Sequence, residues 1–180
     1  GAASKAISKS SIEVKAKGEI EAINKALDDL DLLRSILCLF SNSDMVLFSN
    51  NTPKPINKIR LGQFHTIHNE SGEIVNPKNY WYEPNFILNG IFTPNEDLND
   101  YFEQDLENIL FNLEQCKYSD KLKSALLRYV RAFDEKNNNI ALLEVWGALE
   151  SLTAANDSNK DKLPKRCAFL YKEHEFHKQI

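Results

Sequence analysis

The chain has 180 residues, a formal net charge of -4, 42% hydrophobic residues and 27% charged residues. Those proportions suit a soluble globular protein with room for one domain and a core. The negative balance excludes a chain that holds nucleic acid through its overall field, and no apolar run reaches the length of a membrane span.

Residues 1–11 are small and polar and read as a flexible arm ahead of a single domain over residues 12–180. They lack the apolar stretch of a signal peptide. Cys38, Cys116 and Cys167 are odd in number and widely spaced, which suits reduced thiols in a cytoplasmic protein. Over residues 11–17, Ile12, Val14 and Ala16 alternate with polar residues, the pattern of a short strand or of an extended lead-in. Residues 19–40 then carry Ile20, Ile23, Leu27, Leu30, Leu33, Leu37 and Phe40 at helical steps. Glu21, Lys25, Asp28, Asp29 and Arg34 fall on the opposite face, expected to meet solvent.

Residues 41–92 change character. Residues 45–48 fit a short strand, and the prolines and asparagines of 50–55 make a loop. Residues 58–68 fit a strand, and Glu70-Ser71-Gly72-Glu73 a turn leading to Ile74 and Val75, so a small hairpin or structured insert is expected. The aromatics Tyr80, Trp81 and Tyr82 are expected to fold back over a core.

Thr93-Pro94-Asn95-Glu96 forms a capping box and starts a helix to about Gln115, with Leu98, Phe102, Leu106, Ile109 and Leu113 inward. The next helix, residues 119–134, is expected to bury Leu122, Leu126, Tyr129 and Phe133 and to leave Arg128 and Arg131 solvated. The earlier of the two is acidic and the later basic, which suggests an antiparallel hairpin with complementary flanks. Residues 139–153, NIALLEVWGALESLT, are apolar on most sides. A helix of that kind is expected at the centre of a bundle, with Gly147 admitting a neighbouring backbone. A polar loop follows, then a last helix from Leu163 with Pro164 in its first turn. Its pattern is still helical at Ile180, so the domain is expected to continue beyond that residue.

Several side chains could carry chemistry. His65 with His68, and His174 with His177, are His-x-x-His pairs that zinc could use. In a strand, residues three apart face opposite ways, so the spacing favours solvated or hydrogen-bonded histidines. Glu150 sits one turn after Trp146, where a partly buried carboxylate needs a partner: a Lys or Arg of a neighbouring helix, or a catalytic Arg or His that it orients. Lys162, Lys165 and Arg166 make the last helix basic at its start, a patch for phosphate or simply a solvated face. Arg60 and His65 have four residues between them, in a segment whose Gly62 and alternation argue against a helix.

The run from Ala141 to Tyr171, ALLEVWGALESLTAANDSNKDKLPKRCAFLY, resembles the HEPN superfamily, particularly its ApeA-like branch. The resemblance lies in an apolar helix with the step Ala148-Leu149-Glu150, a polar loop and a basic helix opening. Upstream, ALDDLDLLRSIL from Ala26 to Leu37 is similar to the first long helix of such proteins. The Ile59-Arg60-Leu61-Gly62 and Trp81-Tyr82-Glu83 segments resemble the insert after it. The resemblance implies a helical bundle that often dimerises and, in many members, metal-independent RNA cleavage by an Arg-x(4–6)-His motif at the head of a late helix. There His acts as acid or base on a ribose hydroxyl and Arg stabilises phosphate charge. This chain departs from that pattern, because seven residues separate Arg166 from His174. No catalytic residue carries over, and the motif is expected beyond residue 180 or not at all.

The expected fold is mainly α: about five helices with a small irregular or β insert near residues 41–92. The expected function is a HEPN-like domain of a prokaryotic RNA-targeting defence or toxin-type protein, acting as scaffold and dimerisation unit. A homodimer mate or another protein chain and RNA are the expected partners, with no cofactor and no membrane. A non-catalytic helical interaction module is the alternative, and a metal-binding domain using the His-x-x-His pairs the third reading.

Overall fold

The structure, a computed structural model, describes residues 9–42, 55–83, 86, 99–153 and 162–168, with backbone only for 99–103. The order of elements is α1 (Glu19–Ser41), β1 (Phe64–His65), β2 (Trp81–Tyr82), α2 (Asn99–Gln115), α3 (Ser119–Asp134), α4 (Asn138–Thr153) and α5 (Leu163–Ala168). The fold is mainly helical with a small antiparallel pair of strands, as the periodicity predicts. The 45–48 strand, the 93–96 capping box and the chain after Ala168 lie outside the described residues.

Residues 11–17 are an extended lead-in that pairs with no strand among the described residues. Their alternation is used against α1: Ile12 and Val14 are half-buried, and Lys25 Nζ donates to the Lys15 carbonyl at 2.9 Å. The lead-in passes into α1 where the Lys17 amide donates to Glu21 Oε2 at 3.0 Å, occupying a donor at the helix start.

The buried seam of α1 differs from the expected one. Asp31, Arg34, Ser35, Cys38 and Ser41 are buried at three- and four-residue steps, whereas Ile20, Leu33 and Phe40 are exposed. Arg34 therefore faces the interior. Its charge is held there by carboxylates, as described below, so apolar periodicity alone put the seam roughly one residue off.

Helix α3 lies against α1 and α4. Val130, Ala132 and Ala125 are its buried residues, and Leu122, Leu126, Tyr129 and Phe133 are half-buried rather than central. The rings of Tyr129 and Phe133 meet edge-on at 4.8 Å between centroids. Lys123 Nζ reaches Glu114 Oε1 at 2.5 Å, one instance of the predicted acidic–basic pairing between α2 and α3.

Helix α4 forms over the predicted residues but is not the centre of the bundle. Its side toward α3 carries Ala148, buried, with half-buried Ala141, Glu144, Gly147 and Ser151. Three of its large residues turn away, Leu142 at 65% exposed, Leu143 at 70% and Trp146 at 44%, while Val145 and Leu149 are half-buried. The physical reason is close packing. Small side chains let two helix axes approach, and α4 uses them for that purpose. Gly147 accommodates a side chain, not a backbone: a Cβ there would lie 2.6 Å from Arg128 Nη1. Arg128 is exposed, as expected, and pairs with Glu144 at 3.2 Å across the small face of α4.

The insert is a compact hairpin. Phe64 pairs with Tyr82 and His65 with Trp81, and an isolated bridge joins His68 to Ile74. The predicted turn is present. Gly72 has φ +83°, in the left-handed region where glycine is least strained. Asn69 Oδ1 accepts from the amides of Ser71 and Glu73 and from Ser71 Oγ, so one side chain organises the loop.

Candidate functional site

Two features qualify by their chemistry: a buried polar cluster and the outward face of α4.

The cluster begins with Arg34. Its Nη2 lies 2.6 Å from Asp31 Oδ1 and 2.6 Å from Asp134 Oδ2, and Nη1 donates to the Ile59 carbonyl at 3.2 Å. Asp31 also meets Arg131 Nε at 3.0 Å, and Arg131 Nη2 pairs with Asp28 at 2.5 Å. Arg131 is exposed, as the sequence suggested, and is also engaged by two carboxylates. Burial disfavours the Arg34 cation, but Asp134 and Asp31 more than offset this and raise its pKa above the ordinary arginine value.

Asn57, buried, extends the cluster. Its Nδ2 donates to the Val130 carbonyl at 2.7 Å and to Asp134 Oδ1 at 2.8 Å, and its Oδ1 accepts from Asn42 Nδ2 at 2.9 Å. The amides of Ile56 and Asn57 both donate to the Phe133 carbonyl, at 2.9 and 3.3 Å. The 55–57 segment therefore satisfies a carbonyl at the C-terminal end of α3, which has no partner within the helix. Nearby, Cys38 Sγ donates to the Ile59 carbonyl at 3.4 Å, and burial pushes its pKa up to about 11. Almost every charge here is spoken for by another, so the arrangement clamps α1, α3 and the insert together rather than leaving a group poised to react.

Arg60 and His65 are not mounted on a helix. Arg60 lines a small cleft with Leu61, Glu83, Phe86 and Asp134, and burial lowers its pKa. His65 is half-buried in β1. His68 is exposed, and burial alternates residue by residue from Leu61 to His68. The two histidines therefore face opposite ways, as period-two geometry requires. Both ring nitrogens of His68 are engaged, Nδ1 with the Gly72 carbonyl at 2.9 Å and Nε2 with Thr66 Oγ1 at 3.1 Å. Among the described residues no three His, Cys, Asp or Glu side chains converge as a metal site. His174 and His177 lie outside them.

Glu150 is half-buried and accepts from Trp146 Nε1 at 2.9 Å, one turn back on its own helix. Its partner is an indole, not the Arg, Lys or His considered from the sequence. Arg166 donates to the Thr153 carbonyl at the end of α4. A cation there complements the helix dipole, so the basic opening of α5 caps α4 with one of its residues. Lys162 and Lys165 are exposed.

Of the aromatics expected to fold over a core, Trp81 is half-buried, and Tyr80 and Tyr82 are not. Phe64, Tyr80 and Tyr82 are exposed, with Phe64 in contact with both tyrosines at centroid distances of 5.7 and 5.9 Å. Such cross-strand contacts stabilise a hairpin too short to stand on its ladder alone.

The outward face of α4 remains. Leu142, Leu143 and Trp146 lie on one side, and Leu152, 48% exposed, lies half a turn round the helix from Leu143. Large apolar side chains left exposed beside one another are candidates for cover by another surface. The sequence contained the signal in its excess of large apolar residues, read there as evidence of enclosure. Among the described residues no helix is long and apolar enough to cross a membrane. Comparison with protein families, curated proteins and solved structures finds no match for this chain.

Proposed function

We propose that this chain is a HEPN-like helical scaffold that docks a protein partner on the outward face of α4. The observation that carries the reading is the inversion of that helix: small residues toward α3, Leu142, Leu143 and Trp146 toward solvent. Water contact with these side chains costs about 25 cal/mol per Å², a cost removed when a partner covers them. The clamp of Arg34, Asp31 and Asp134 supports a scaffold role, since it fixes the helices without leaving a reactive group.

The HEPN-like origin, and with it a place in a cytoplasmic RNA-targeting defence or toxin-type system, rests on the sequence resemblance of residues 141–171 and 26–37. The mainly helical architecture is compatible with it.

A photo-crosslinking amino acid placed at Trp146 tests the docking role in living cells. Adducts of higher mass are expected at that position and not at exposed Lys121 on α3. Equal or absent crosslinking at both removes the reading. A second assay addresses RNA. The purified chain should leave RNA intact in EDTA. Cleavage that persists in EDTA and disappears in His65→Ala would place Arg60 and His65 in a catalytic role and overturn the scaffold reading.

A further inference from the structure

We propose that the outer edge of the strand carrying Phe64, Thr66 and His68 takes an extended peptide of another protein as an added β-strand. This site lies on the insert and does not depend on the α4 face.

The ladder fixes which backbone groups point outward. The Glu83 amide donates to the Gln63 carbonyl at 3.0 Å, the Val75 amide to the Ile67 carbonyl at 3.0 Å, and the Asn69 amide to the Glu73 carbonyl at 2.9 Å. Phe64, opposite Tyr82, and His68, opposite Ile74, fall between those bonds. In an antiparallel ladder such positions turn their own N–H and C=O away from the partner strand. Thr66, midway between them, shares their side, because burial alternates without a break from Leu61 to His68. Among the described residues no backbone group pairs with the N–H or C=O of Phe64, Thr66 or His68 at this edge.

An edge of this kind is a template for a further strand, and proteins usually block it with a lysine, a proline or another charge. Between Leu61 and Asn69 there is no Lys, Arg, Asp, Glu or Pro. The chemistry of the edge names its occupant. Main-chain donors and acceptors repeating at strand spacing are matched by another extended polypeptide. Side chains then set its preference. Phe64 is 57% exposed and meets the rings of Tyr80 and Tyr82. A peptide residue opposite Phe64 lies on that same face, so an aromatic or β-branched residue there gains cross-strand contact. Farther along, exposed Thr66 and His68 are bonded to each other at 3.1 Å and favour polar neighbours.

A random library of displayed peptides about ten residues long, selected on the whole chain, tests this. The expected peptides carry an aromatic or β-branched residue in an alternating pattern. They should bind Thr66→Val as they bind the parent, and Thr66→Pro at least about tenfold more weakly. Proline at residue 66 removes an N–H that the hairpin does not use, so the Val75 amide should keep its slow hydrogen exchange. A bound peptide should slow exchange at the amides of Phe64, Thr66 and His68 and leave α3 unchanged. Where Thr66→Pro disturbs the hairpin, that exchange pattern alone decides. Failure to enrich any peptide, or equal binding to Thr66→Pro with its hairpin intact, overturns the proposal. So does slow exchange of these amides in the chain alone, since its own chain then covers the edge. Self-association abolished by Thr66→Pro would give the edge to a second copy and overturn it too.

Discussion

Arg34 carries more of the internal organisation than its position on the polar side of the α1 pattern suggests. It bridges Asp31 within α1 to Asp134 at the end of α3, and it also donates to the Ile59 carbonyl of the insert. Arg34→Met keeps the volume but leaves two poorly solvated carboxylates short of a cation. Such a break costs about 3 kcal/mol or more, measurable as a lower urea midpoint. A loss under 1 kcal/mol would mean that Arg131 and Asn57 suffice. Gly147 makes a contrasting case. The atoms nearest an added Cβ belong to the mobile end of Arg128, which can move aside. Gly147→Ala should raise stability by about 0.5 kcal/mol, the helix propensity gain less a weakened surface pair. A decrease of more than 1 kcal/mol would show that Arg128 is fixed. Cys38 supplies a pH dependence. Its thiol ionises near the ordinary value of 9.0 when unfolded and at about 11 when folded. The unfolded chain therefore releases this proton first as pH rises. Stability should be level below about pH 9 and fall through about pH 11, with burial raising the Tyr129 pKa to the same effect. Thermal melts in that range should flatten in part with Cys38→Ala, and an unchanged slope would exclude the thiol as its source.

Individual elements show what a hydrophobic pattern conveys and what it leaves out. Helix boundaries were legible: α1 ends one residue beyond the predicted Phe40, α3 spans the predicted residues and α4 begins one residue early. The hairpin turn was legible too, because Gly72 and its neighbours have specific backbone requirements. The orientation of each helix was not. A wheel ranks positions by apolarity and gives the largest side chains the inside. In α1 and α4 the inside includes small residues and paired polar ones, among them Ala148, Ser35 and the pair Asp31 and Arg34. The polar cluster was illegible for a related reason. Its members come from positions 31, 34, 42, 57 and 134, and no local spacing joins them.

For the molecule as a whole, the described helices form around a seam of small and polar groups, with much of the large apolar surface at its margins. Val130 and Ile36 are fully buried, while Leu142, Leu143 and Trp146 are not. Apolar area thus contributes to the fold through a narrow core and stays available for association through α4. The sequence placed Leu142, Leu143 and Trp146 in the correct helix and gave them the inside, where the structure gives them the outside. Paired urea denaturations of Leu143→Glu and Ala148→Glu, at a concentration where the chain is monomeric, test this most directly. An outward α4 face predicts that Leu143→Glu changes the unfolding free energy by less than about 1 kcal/mol, whereas Ala148→Glu, forced against α3, costs at least about 3 kcal/mol. The reverse order, with Leu143→Glu the more damaging, would contradict the account.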